Sequence, residues 1–129
     1  MLATVTNTIL VVEDDADTRL GLRVLLKAHY YEPVFAANAA DALTLAIEHD
    51  PDLILLDLGL PGIDGFQLLE HFGHGYVSMV PVIVISGRER RKNKDRALHA
   101  GAVNYLQKPW NDDELLELID RHSARPSAA

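Results

Sequence analysis

The sequence predicts an α/β protein built on a doubly wound, five-stranded parallel sheet. Five short strand-like runs alternate with five stretches of helical period, and no tight hairpin signal lies between them. Such alternation needs crossover connections, and therefore parallel strands covered by helices. Three of the five runs are apolar at every position, as strands buried on both faces are. The chain has 129 residues, enough for one hydrophobic core and too few for a second beside it.

The elements follow in order. Ile9-Leu-Val-Val12 reads as the first strand. Asp15 and Asp17 suit the start of the first helix, where acids favour the positive dipole end. Leu22, Leu25, Leu26 and His29, at i, i+3, i+4 and i+7, form its stripe. Glu32-Pro-Val-Phe-Ala36 is the second strand. Asn38 is a good N-cap for a helix carrying Ala39, Ala42, Leu43, Ala46 and Ile47. Leu53-Ile-Leu-Leu56 is the third strand, and the Gly62-Ile-Asp-Gly65 turn leads into a shorter helix with Phe66, Leu69 and Phe72, which Gly73 is expected to interrupt. Val82-Ile-Val-Ile85 is the fourth strand. Ala97 and Ala100 suggest a helix ended by Gly101. Asn104-Tyr-Leu-Gln107 is the fifth strand. The last helix has Asn111 as N-cap, Glu114 three residues on, acids at Asp112 and Asp113, and an apolar face of Leu115, Leu118, Ile119 and His122. Trp110 is expected to pin the entry to this helix. Residues 123–129 offer no apolar face and read as a tail or linker stub.

Composition narrows the function. There is no Cys, which excludes disulfides, thiolate metal sites and cysteine nucleophiles, and fits a reducing cytoplasm. No apolar run approaches the roughly 18 residues of a membrane span, and the first residues lack the basic and apolar regions of a signal peptide. Twelve basic against 19 acidic residues leave a net charge of −7, a poor balance for binding nucleic acid. Six of the twelve cations, Arg88, Arg90, Arg91, Lys92, Lys94 and Arg96, nevertheless fall within nine positions, either as a solvated helix face or as a docking patch for an acidic partner. His71 and His74 share an i, i+3 spacing but lack neighbouring ligands in sequence, and are read as solvent-facing.

In a doubly wound sheet the functional groups gather beyond the carboxyl ends of the strands. Strand one ends in Glu13, Asp14 and Asp15, strand three in Asp57, strand four in Ser86, and strand five in Lys108 before Pro109. Carboxylates converging on one cleft repel one another unless a cation intervenes. With only hard oxygen ligands at these ends, the cation indicated is Mg²⁺, with Mn²⁺ as its substitute. Lys108 can hold the non-metal side of a phosphoryl group there, and Ser86 can donate to another of its oxygens.

Four segments, Val11-Val-Glu-Asp-Asp15, Leu55-Leu-Asp-Leu-Gly-Leu-Pro-Gly-Ile-Asp-Gly65, Val82-Ile-Val-Ile-Ser-Gly87 and Tyr105-Leu-Gln-Lys-Pro109, resemble in order and spacing the signatures of receiver domains of two-component response regulators. The resemblance runs from about Ile9 to Ile119. It implies the strand order 2-1-3-4-5 and a receiver domain over 7–122, with an N-terminal tail over 1–6. It implies that Asp57 is the phospho-acceptor, that Glu13, Asp14, Asp57 and the backbone carbonyl of Gly59 surround the metal, that Lys108 and Ser86 hold the phosphoryl group, and that Tyr105 is the aromatic switch. It also implies a cis Lys108–Pro109 bond and a signalling surface on the fourth helix, fifth strand and fifth helix, where the Arg88 to Arg96 run falls. The chain departs from the family's commoner residues at Gly59, Gly87 and Arg88.

The partners so implied are a sensor histidine kinase or phosphotransfer protein, then a downstream protein, a fused output domain or a second copy of the chain. Two other classes share part of this pattern. A phosphatase of haloacid-dehalogenase type also uses an Asp nucleophile and Mg²⁺, but resembles Asp-x-Asp, and the second acid's place is taken here by Gly59. A mononucleotide-binding domain wants a Gly- or Ser/Thr-rich loop after strand one, and Glu13-Asp-Asp15 would repel its phosphate.

Overall fold

A computed structural model describes residues 7–74 and 80–123; the expected tail over 1–6 and, apart from Ser123, the expected tail over 123–129 lie outside them. Strands and helices alternate throughout the described residues: β1 (Thr8–Val12), α1 (Ala16–Ala28), β2 (Glu32–Ala36), α2 (Ala39–His49), β3 (Leu53–Asp57), α3 (Gly65–His74), β4 (Val82–Ser86), α4 (Arg90–His99), β5 (Asn104–Gln107) and α5 (Asp112–His122). All strand pairs are parallel, in the order β2-β1-β3-β4-β5.

Side chains alternate across a strand, and here both faces are covered. Leu10, Val12, Ile54, Leu56, Val82, Val84 and Tyr105 face one way, against Ala42 and Ala46 of α2, Phe66, Leu69 and Phe72 of α3, and Ala97 of α4. Ile9, Val11, Leu53, Leu55, Ile83, Ile85 and Leu106 face the other way, against Leu22 and Leu26 of α1 and Leu115, Leu118 and Ile119 of α5. Burying both faces is why β1, β3 and β4 carry no polar alternation. β2 lies at an edge, where Pro33 is tolerated because a ladder donor is not needed on its outer side.

The caps are local and chemical. Asp15 accepts from the Thr18 amide (2.9 Å), Asn38 from the Asp41 amide (2.8 Å) and Asn111 from the Glu114 amide (3.0 Å). Each satisfies an amide that the first helical turn leaves without a partner.

Three expectations need correction. Ile47 is 69% exposed, because α2 meets the sheet through Ala42 and Ala46, and one residue further lies about 100° around the helix. His29 ends α1 as its C-cap instead of joining its stripe. Gly73 does not interrupt α3, which runs on to His74. A β-carbon at Gly73 would lie 2.9 Å from the Ala100 carbonyl oxygen, so this glycine permits close approach to the turn after α4 and does not break its own helix. That turn ends α4 at Gly101 with φ +115°, as expected.

Candidate functional site

The chain runs from β1 outward to β2, returns to β3 on the other side of β1, and continues through β4 to β5. The direction of winding reverses at the β1/β3 boundary, and the loops beyond these two strands part to leave a crevice. Glu13 directly follows β1 and Asp57 ends β3, so their carboxylates reach this crevice from adjacent strands. Asp14 joins them from the start of the β1–α1 loop. One oxygen from each of the three lies within 4.8 Å of the others, and among the described residues no other set of three acidic or histidine side chains is grouped so closely.

Lys108 enters from the loop after β5. Its Nζ donates to Glu13 Oε1 (2.5 Å) and to Asp57 Oδ2 (3.3 Å). The Lys108–Pro109 peptide is cis, as the family resemblance implies. Asp57 is 6% exposed, and its Oδ1 accepts the Gly59 amide at 2.9 Å. Gly59 therefore supplies backbone, not an acid, at the position where a haloacid-dehalogenase phosphatase would carry its second carboxylate.

Glu13 is wholly buried while Asp14 is exposed. Burial pushes the Glu13 carboxyl above its ordinary value, against the ammonium of Lys108, and neighbouring Asp57 pushes it the same way. Lys108 is shifted upward as well: burial opposes its charge, but the hydrogen bond to Glu13 and the charges of Asp57 and Glu13 outweigh that cost. Three carboxylates against one ammonium leave two negative charges in excess, which a divalent cation would neutralise. The donor set is all carboxylate oxygen, so it fits a hard cation of the Mg²⁺ or Mn²⁺ kind.

Ser86 closes β4 beside β3, and its side chain is fully buried. Its Oγ accepts the Arg88 amide at 3.1 Å. Tyr105, on β5, is also fully buried, and its hydroxyl donates to the Arg88 carbonyl at 2.9 Å. The backbone of Arg88 is thus held from both sides, by Ser86 and by Tyr105. Tyr105 faces inward here, because its ring completes the core beside Val84 and its hydroxyl finds a backbone acceptor there.

The six cations expected to form one patch are largely engaged with their own surroundings. Arg96 lies over the Phe66 ring at 3.8 Å and 3.8 Å from Asp64, and Arg88 approaches the same ring at 5.8 Å. Arg91 and Lys92 both face Glu89, and Arg90 Nε donates to the Tyr105 carbonyl at 3.3 Å. His71 is exposed and stands edge-on to Phe72; the side chain of His74 is outside the described residues. Arg19 was not singled out from the sequence, yet its Nη1 donates to the Glu13 carbonyl at 3.0 Å and braces the β1–α1 loop. Only its place one turn into α1, after the Asp15 cap, hinted at this contact.

Fold and crevice together define a five-stranded α/β domain with a cluster of three carboxylates, braced by a lysine, at its switch point. The response regulator receiver domain model matches residues 9–120, and the chain belongs to that family of two-component systems. It is 38% identical over 121 residues to the transcriptional regulatory protein KdpE of Mycobacterium tuberculosis, a match covering 94% of this chain and 53% of that protein. The chain thus spans about half the length of that relative. It is 31% identical to protein PilH of Pseudomonas aeruginosa, covering 87% of this chain and 93% of PilH. The crystal structure of a response regulator receiver domain protein from Methanospirillum hungatei superposes with a TM-score of 0.81 at 31% identity, covering 91% of this chain and 93% of that one. The family is one of regulatory phosphoacceptors and not of classical enzymes. No helix among the described residues is long and apolar enough to cross a membrane.

Proposed function

We propose that residues 7–122 form a phosphorylation-activated cytoplasmic switch in which Asp57 accepts a phosphoryl group from a sensor histidine kinase or phosphotransfer protein. The observation that carries this reading is the placement of Asp57: buried at the end of β3, bonded through one oxygen to Lys108, and grouped with Glu13 and Asp14. Glu13, Asp14, Asp57 and the Gly59 carbonyl would hold Mg²⁺. Bound there, the ion would offset the charge that builds as a phosphoryl group approaches a carboxylate.

The residues of the chain do the rest. An Asp57 oxygen attacks phosphorus and forms an acyl phosphate, while the bond from phosphorus to the donor breaks. Lys108 already reaches Asp57 Oδ2, so its ammonium can pass to a phosphoryl oxygen with a small movement. Ser86 offers its hydroxyl hydrogen to another oxygen, since its Oγ now only accepts from Arg88. Moving Ser86 to the phosphoryl group disturbs the Arg88 backbone, and with it the Tyr105 hydroxyl bond. The change is thereby carried to the face of α4, β5 and α5, where the Arg88 to Arg96 run meets a downstream protein, a fused output domain or a second copy.

Incubation with acetyl phosphate and Mg²⁺ tests this. The native chain should gain one phosphoryl group that is labile to hydroxylamine, and Asp57→Asn should gain none. A stable phosphate on Ser86, or full labelling of Asp57→Asn, would overturn the assignment.

A further inference from the structure

Beside the site lies a cavity of about 470 Å³ lined by Thr18, Lys108, Pro109, Trp110 and Asp112. Its size falls in the range of small-ligand pockets. Lys108 belongs to both places: its side chain lines the cavity, while its Nζ bonds Glu13 and Asp57. Trp110 packs against the core cluster shared by α1 and α5 and also lines the cavity; it is the only Trp in the chain. Its Nε1 donates to Asp112 Oδ1 at 3.1 Å, which fixes the ring and leaves Asp112 Oδ2 able to accept another donor.

From this we infer that the cavity receives the leaving group of the phosphodonor, and that Trp110 and Asp112 select a protonated imidazole, the ring of a phosphohistidine, over an acyl group. The inference rests on the phospho-acceptor reading and adds donor specificity to it. A flat cation is attracted to an indole face, and its remaining N–H suits a carboxylate acceptor. The ammonium of Lys108 is outweighed there by the carboxylates of Glu13, Asp14 and Asp57 around it. A carboxylate leaving group, such as acetate, gains nothing from the indole face and is repelled by Asp112.

The chemistry balances without a proton from the protein. The reactive donor is protonated on the ring nitrogen that does not carry phosphorus. The Asp57 oxygen forms the new O–P bond, the P–N bond breaks with its electron pair going to nitrogen, and neutral imidazole departs. By accepting the N–H hydrogen bond, Asp112 favours the protonated donor, which has the better leaving group. Trp110 and Asp112 are therefore specificity residues toward the donor, and Asp57 remains the nucleophile.

The test compares phosphorylation rates with phosphoimidazole and acetyl phosphate, at one pH and Mg²⁺ concentration, in the native chain, Trp110→Ala, Trp110→Phe and Asp112→Asn. The rate ratio of the two donors is internal to each variant, so a general loss of folding or of Asp57 reactivity cancels. The ratio should fall about tenfold in Trp110→Ala, as expected for a partly desolvated cation–π contact, and by a similar factor in Asp112→Asn. Trp110→Phe should retain most of it. If Trp110→Ala does not fold, Asp112→Asn decides, since Asp112 is exposed and the amide still accepts from Trp110. Ratios unchanged in every folded variant would overturn the donor pocket while leaving Asp57 as acceptor. Failure of both donors to phosphorylate the native chain would instead overturn the phospho-acceptor reading, and the pocket with it.

Discussion

Replacing Lys108 by Met removes the one cation that the described residues place among Glu13, Asp14 and Asp57, while keeping most of the volume of its stem. Glu13 is wholly buried and bonded to Lys108 at 2.5 Å, and Asp57 lies 3.3 Å from the same nitrogen. Taking one partner from a buried ion pair typically costs about 3–5 kcal/mol. The Lys108 side chain is 26% exposed, so solvent already screens part of this attraction. Glu13 can also take up a proton, which limits the penalty. A loss of about 2 kcal/mol is expected without divalent cation, or roughly 5–10 °C in Tm for a domain of this size. Mg²⁺ should then behave in an informative way. In the native chain it stabilises by linkage, by about 2.7 kcal/mol at a concentration one hundred times its Kd. In Lys108→Met it no longer competes with an ammonium for the same oxygens, so it should bind more tightly and stabilise more at equal concentration. Thermal unfolding of both chains across an Mg²⁺ titration measures the difference. An equal or smaller Mg²⁺ effect in Lys108→Met would refute the view that lysine and metal neutralise the same carboxylates.

Asp14→Ala should leave unfolding free energy without Mg²⁺ within about 0.5 kcal/mol of native, as exposed positions usually do, while abolishing the Mg²⁺-dependent rise in Tm and Mg²⁺-dependent phosphorylation. Glu13 sets a pH dependence. Its carboxyl is raised in the folded chain, so the folded state binds the proton more tightly than the unfolded one. Its contribution to stability without metal is therefore fully present below the ordinary carboxylate value and is lost as pH rises through the raised one. The Mg²⁺-induced rise in Tm, which requires the ionised form, should run the opposite way and shrink as pH falls through that raised value; scans begun below the ordinary carboxylate value and carried to neutral pH, with and without Mg²⁺, check both signs. Ser86→Ala should still allow Asp57 to be phosphorylated but should uncouple the response, so that phosphorylation changes amide exchange at Arg88 and across residues 86–110 less than in the native chain. An undiminished response would remove Ser86 from the relay.

The alternation of strand and helix, the two-faced burial of β1, β3 and β4, and the caps at Asn38 and Asn111 follow from sequence because each depends on near neighbours. A continuous Ile/Val/Leu run has no polar face to show to water, and an Asn three residues before a free amide caps it whatever lies beyond. The meeting of Glu13, Asp14, Asp57 and Lys108 was also legible, since parallel strands bring all their carboxyl ends to one edge. Tertiary packing alone decided which way ambiguous side chains went. Leu43 and Ile47 are adjacent on the same helical stripe, yet Leu43 packs on the core while Ile47 stays exposed, because the sheet touches α2 along a narrow line. Gly73 looked like a helix breaker until Gly101 came to lie against it. The cations from Arg88 to Arg96 read in sequence as a solvated face or a docking patch, but Phe66 of α3 lies beneath Arg88 and Arg96, Asp64 before α3 lies beside Arg96, and Glu89, the N-cap of α4, lies beside Arg91 and Lys92. Tyr105 and Arg88 are 17 positions apart, and only the packing of β5 against the loop after β4 shows the hydroxyl bond that joins them. Period and spacing report the interactions a residue makes with its near neighbours in the chain; the partners of a long side chain are set by whichever distant element the folded sheet places within its reach.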